Sequence, residues 1–324
     1  MAVKLICASH SPLMEFATPQ DQAQEQNVRD TFKKLADEVK QYDPTLMIVY
    51  GPDHFNGFFY DLMPSFCVGI RASAAGDWNY GPGQLHVPEQ RSKEMIRHVL
   101  DEGVDVAYSY RMQADHGITQ PLHFLCDGQL DRYATIPIFI NAAAVPLPTV
   151  DRTVKLGQAI AEFLKTLDLQ KERVLILGTG GLSHDPPTPQ IGSVPPETEE
   201  FLIAGRNPSP EARNIRQSKV IAVGEKLAAG DKSVAVPLNA AWDLQILDLF
   251  KNADFDALIA MTEEDIRQHG GRGGQEIRCW IAALATMHAL GEYDMQVHCY
   301  EEIDEWIAGF SIVSAEFKNQ GSYL

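Results

Sequence analysis

Five short apolar runs, separated by stretches of helical periodicity, constrain the fold of this chain more than any other feature. The runs are AVKLICA at 2–8, TLMIVY at 45–50, VDVAYS at 104–109, IPIFI at 136–140 and RVLILG at 173–178. At about 20–41, 88–101 and 150–167 apolar residues instead recur with the period of a helix. A strand that is apolar on both faces is covered on both faces, and helices crossing between parallel strands supply that cover. The expected fold is therefore α/β, a single domain over 1–324 with a central, mostly parallel (mixed) sheet flanked by helices on both faces.

The second half is richer in helical pattern, with candidates at 210–229, 239–252 and 275–290, and it ends in two apolar segments at 295–300 and 306–315. The proline-rich stretch DPPTPQIGSVPPETEEFLIAGRNPSP at 185–210 has little periodicity and is expected to be a long ordered loop or partial lid. GDWNYGPGQ at 76–84 is expected to be a turn-rich loop for the same reason. At 324 residues the chain can bury a large core without disulfides or a structural metal.

The formal net charge of −17 repels phosphate backbones and anionic membranes, so no nucleic acid or membrane partner is expected. No basic, apolar leader opens the sequence and no apolar run approaches the roughly 20 residues of a membrane span. A cytoplasmic location is expected. The five cysteines are scattered without a C-x-x-C pair, which suits a reducing compartment and offers no thiolate metal site.

Four histidines stand just past strand-like runs: His10 after LICAS, His54 after MIVYGPD, His116 after VAYSYRMQAD and His184 after LILGTGGLS. Open α/β sheets bind ligands outside the carboxyl ends of their strands, so four separate loops would bring imidazoles to one crevice. The other six, His86, His98, His123, His269, His288 and His298, are assigned to structure or surface. Neutral imidazole suits zinc, copper, iron and nickel, and two histidines with one carboxylate form the facial site of non-haem Fe(II) oxygen chemistry. Asp53 and Asp115 adjoin His54 and His116, and adjacent loop residues point apart, so both are read as orienting partners or loop stabilisers. Glu276, where the glycines of GGRGGQEIRCW give way to a helix, is the better carboxylate, unless it only complements the helix dipole.

These residues sit in segments that resemble a known family. ASHSPLM at 8–14, YGPDHFNGFFYDLMPSF at 50–66, QADHGITQPL at 113–122, GTGGLSHDPP at 178–187 and QEIRCWIAA at 275–283 are closely similar to the class III, LigB-type extradiol ring-cleaving dioxygenases. The resemblance covers essentially the whole length. It implies an Fe(II) cofactor held by His10, His54 and Glu276, with His184 as base and His116 as acid. It further implies a catechol substrate and O2, ring opening beside the two hydroxyls, and a homo-oligomer, the last made plausible also by the apolar WIAGFSIV near the end.

A substrate side chain bearing a carboxylate needs a cationic partner, for which Arg272 is the candidate, while Phe55, Phe58, Phe59 and Tyr60 could wall the ring pocket or simply pack in the core. The competing reading is a zinc hydrolase using the same two histidines and glutamate. Neither H-E-x-x-H nor a G-x-S-x-G elbow is present to support a hydrolase.

Overall fold

The computed structural model describes residues 3–318. Its elements in chain order begin with β1 (Val3–Ala8), α1 (Gln22–Tyr42), β2 (Leu46–Gly51), β3 (Phe66–Gly69), β4 (Ala72–Ala74), α2 (Glu89–Asp101) and β5 (Ala107–Ser109). They continue with β6 (Met112–Ala114), α3 (His116–Leu125), β7 (Thr135–Ile140), α4 (Val150–Lys165), β8 (Val174–Thr179), α5 (Pro196–Ala204) and α6 (Pro210–Ala228). The last are α7 (Ala240–Lys251), α8 (Phe255–Ile259), α9 (Glu263–Gly270), α10 (Ile277–Leu290), β9 (Tyr293–Ile303) and β10 (Ala308–Phe317).

Eight strands form one sheet in the order β5-β3-β7-β2-β8-β1-β10-β9, and β4 pairs with β6 in a separate ribbon. The centre, β7-β2-β8-β1, is parallel throughout. Antiparallel pairing begins where β3 meets β7 and where β10 meets β1, and the closing β9–β10 pair is an antiparallel hairpin. The α/β reading with a mixed sheet therefore describes the molecule, and the antiparallel flanks are the mixed part.

Because successive side chains point to opposite faces, each apolar strand feeds two cores. Leu5, Cys7, Ile48, Tyr50 and Ile176 face one core, which they share with α4, α7 and α10. Ile6, Ala8, Met47, Val49, Leu175 and Leu177 face the other, shared with α1 and α3. Helices α4 and α10 approach closely, since a Cβ on Gly157 would stand 2.4 Å from the Ala282 carbonyl. All five cysteines are buried and unpaired.

Two sequence expectations need correction, and several short elements escape the sequence pattern. The run at 104–109 forms a strand only from Ala107, and this edge strand is largely exposed rather than a central one. The short strands β3, β4 and β6 carry too few apolar residues to stand out from loops. Helix α3, which contains His123, forms despite Pro121, and its first turn is secured by the Asp115 side chain accepting from Gly117 N. The stretch at 185–210 is not all loop, for Pro196 starts α5.

Candidate active site

Three adjacent parallel strands, β2, β8 and β1, each end in a loop carrying one histidine. Neighbouring strands lie about 4.8 Å apart, so His54, His184 and His10 emerge from almost the same place by the geometry of the sheet alone. His116 arrives differently. It follows β6 of the small ribbon, not a strand of the main sheet, and is the first residue of α3. The start of α3 is pressed onto the strand ends: Thr179 Oγ1 donates to the Gly117 carbonyl, and a Cβ on Gly51 would stand 2.4 Å from Ile118.

All five residues singled out from the sequence meet. The Glu276 carboxylate has Oε1 3.0 Å from His54 Nε2 and 3.2 Å from His184 Nε2, with Oε2 3.7 Å from His10 Nε2. His116 stacks on His54 with ring centroids 4.3 Å apart and meets His10 edge-on at 5.4 Å. Glu276 lies in a short 3-10 turn, Gly273–Glu276, that leads into α10, and its side chain is buried, not directed outward. Gly180, at φ +131, lets β8 run against it, because a Cβ there would fall 2.8 Å from Glu276 Cβ.

Three of the four imidazoles are held through Nδ1. Asp115 Oδ2 accepts from His54 N at 2.8 Å and lies 3.0 Å from His54 Nδ1. Asp77 Oδ2 lies 2.6 Å from His116 Nδ1. His184 Nδ1 is 3.1 Å from the Leu182 carbonyl, which makes Nδ1 the protonated nitrogen and turns Nε2 toward Glu276. Asp53 accepts from the backbone N–H groups of Asn56, Gly57 and Phe58 and holds the loop that carries His54. Asp53 and Asp115 thus have the orienting and stabilising roles expected of them, with Asp115 Oδ2 nearer to His54 Nδ1, at 3.0 Å, than to that of its chain neighbour His116, at 3.7 Å. Asp77 was missed, since nothing in GDWNYGPGQ distinguishes its aspartate from a turn residue.

The electrostatics suit a cation between these groups. Burial pushes His10 down to about 3, so it stays neutral as ligation requires, and its buried Nδ1 has no hydrogen-bond partner. Burial alone would raise the Glu276 carboxyl, but the His184 charge and hydrogen bonds from His184 and His54 hold it well below the usual range. Burial would lower His54, yet Asp115 and Glu276 raise it well above an ordinary histidine. A buried carboxylate beside several imidazole nitrogens and an orphaned ring nitrogen is a donor set that fits a divalent transition metal. Other overlapping sets are present, because the ligand atoms of His10, His54 and His116, and those of Asp77, Asp115 and His116, also lie within 4.8 Å of one another.

Arg272 is not free for a substrate. Its N and Nε donate to Asp185 Oδ1 at 3.0 and 2.7 Å, Nη2 donates to Oδ2 at 3.2 Å, and Nη1 donates to the Thr188 carbonyl. It fastens the chain just after His184. Of the aromatic residues beside His54, Phe55 and Phe59 pack with Leu202 in a satellite core, joined by Tyr60, while Phe58 stacks on Phe139 at 3.8 Å. Their role is packing, and through Leu202 they anchor α5.

Comparison with known proteins agrees with the geometry. Residues 4–311 match the family described as the catalytic LigB subunit of aromatic ring-opening dioxygenase. The chain belongs to this family and is an extradiol dioxygenase. Over 316 residues, 98% of each chain, it is 58% identical to a protein of Photorhabdus laumondii named 2,3-dihydroxyphenylpropionate/2,3-dihydroxicinnamic acid 1,2-dioxygenase. A Rhodococcus rhodochrous protein of the same name is 40% identical over 99% of this chain and 100% of its own. The fold is shared with an uncharacterized protein from Escherichia coli K12, at a TM-score of 0.50 and 9% identity over 97% of this chain and 99% of that one. Among the described residues no helix is long and apolar enough to cross a membrane.

Proposed function

We propose that this dioxygenase cleaves 3-(2,3-dihydroxyphenyl)propionate, and its propenoate analogue, between a hydroxylated carbon and the carbon bearing the side chain. The product is a 2-hydroxy-6-oxo-diene dicarboxylate that contains both atoms of O2. The observation that carries this reading is the Glu276 carboxylate shared among His10, His54 and His184 at the ends of three adjacent strands. The names of the curated relatives supply the substrate.

In this reading His10, His54 and Glu276 hold Fe(II), with Asp115 orienting His54 from behind. Fe(II) held there would supply adjacent sites for the catechol and O2 and a path for electron density from the ring to oxygen. The chain's own contribution is proton management. His184, its Nδ1 fixed on the Leu182 carbonyl and its Nε2 3.2 Å from Glu276 Oε1, is placed to take a catechol hydroxyl proton at Nε2 when Glu276 is engaged as a metal ligand and no longer accepts from it. His116, with Nδ1 fixed on Asp77, is left with Nε2 to deliver a proton as the ring opens. A zinc hydrolase could use the same donors, but the family match favours oxygen chemistry.

The whole chain, 1–324, acts as one ring-cleavage domain, cytoplasmic and assembled as a homo-oligomer. The test is anaerobic loading with Fe(II), then addition of the catechol and air while O2 uptake and visible absorbance are recorded. Stoichiometric uptake with a yellow product supports the reading. Iron-loaded protein that consumes no O2 with any catechol overturns it.

A further inference from the structure

Helix α6 directs two arginines, one turn apart, at the loops that carry the site. Arg216 Nη1 donates to the Phe55 carbonyl at 3.2 Å and Nη2 to Asn56 Oδ1 at 3.0 Å, and its guanidinium lies 4.3 Å from the centre of the Phe201 ring. Arg213 Nη1 donates to the Gly76 carbonyl at 2.8 Å. The first contact is one residue from His54, and the second is one residue from Asp77, the partner of His116. In both arginines the Nε is buried without a hydrogen-bond partner, and among the described residues neither forms an ion pair.

This is a costly arrangement in a chain whose net charge is −17. A buried guanidinium N–H left unpaired costs about 1–3 kcal/mol, and two adjacent cations also repel. Burial first, and then Arg213, pull Arg216 below its ordinary value, while Asp77, Asp53 and Asp115 attract it from further away. Those three carboxylates are already committed to His116, to the loop after His54 and to His54 itself. What the pair lacks is an anion of its own.

Resting on the function proposed above, we infer that Arg213 and Arg216 bind the side-chain carboxylate of the substrate and so select acidic catechols over neutral ones. A carboxylate accepts two N–H bonds in the plane that a guanidinium presents. Held by α6, it places the aromatic ring toward His54 and His116. This replaces Arg272, whose guanidinium is spent on Asp185.

The test compares 3-(2,3-dihydroxyphenyl)propionate with 3-methylcatechol, which lacks the charge, in the iron-loaded enzyme and its Arg213→Gln, Arg216→Gln, Arg213→Lys and Arg216→Lys variants. Each Gln variant is expected to lose about 10- to 100-fold in kcat/KM for the acid, with far less change for 3-methylcatechol. The Lys variants should recover part of the loss. Inhibition by 3-phenylpropionate, which binds without reacting, should weaken in parallel. Equal losses on both catechols, in variants that melt with the parent, would make the arginines merely structural and overturn the inference, as would an unchanged kcat/KM for the acid. A parent enzyme that opens neither catechol sinks the proposed function instead, and one that opens both equally well sinks only the carboxylate site.

Discussion

Asp77 and His116, 39 residues apart in the chain, are joined by a 2.6 Å contact between Oδ2 and Nδ1, and Asp77 also accepts from the His116 backbone N–H. The contact fixes which ring nitrogen faces the reactants. Asp77→Asn keeps an acceptor for the backbone but removes the anion behind the ring. Its kcat is expected to fall by about 100-fold, within the usual range for a positioned acid or base, with KM and iron content nearly unchanged. Steady-state kinetics across pH checks this, and an unaltered kcat would remove Asp77 from the account.

The imidazole of His184 sits where only glycine fits. A Cβ on Gly181 would lie 2.4 Å from its Nδ1, and one on Gly273 would lie 2.1 Å from its Nε2. Gly181→Ala should therefore displace the ring and lower kcat nearly as far as His184→Ala, by about 100-fold or more. Matching melting curves for variant and parent, with a normal kcat in the variant, would show that the ring has room to move.

Arg272 and Asp185 form a partly exposed ion pair that fastens the chain after His184. Burial would raise the Asp185 carboxyl, but the Arg272 side chain and the backbone N–H groups of Val236 and Arg272 hold it below the usual range. A carboxyl depressed on folding stabilises the native state fully above its unfolded value of about 3.9, and the contribution fades as pH falls through the folded value. Arg272→Ala is expected to cost about 1 kcal/mol at pH 7, the modest figure reflecting solvent screening of the arginine, and progressively less below pH about 4. Urea unfolding of variant and parent at the two pH values measures the difference. A gap that widens in acid would contradict the assignment.

Much of this was legible in the sequence because parallel strands and their loops leave local signals. The runs at 2–8, 45–50, 136–140 and 173–178 became the parallel centre, and His10, His54 and His184 follow from three of those strands. His116 does follow a strand, β6, but one of the small ribbon, so its place in the site depends on α3 packing over the ends of the main sheet's strands. Asp77, Arg213 and Arg216 reach the site only through tertiary contacts across long separations, and no local pattern marks them. Proximity in sequence to Glu276 carries no information on Asp185, 87 residues from Arg272 in the chain, which claims the guanidinium.

The central claim is the division of labour among five clustered residues, and iron content tests it most directly. His10→Ala, His54→Ala, Glu276→Ala, His116→Ala and His184→Ala would each be loaded with Fe(II) without oxygen, desalted and assayed for bound iron. The first three are expected to lose stoichiometric iron, while the last two retain it and fail only in turnover. Iron kept by Glu276→Ala and lost by His116→Ala would make the three neighbouring histidines the ligands and contradict the account.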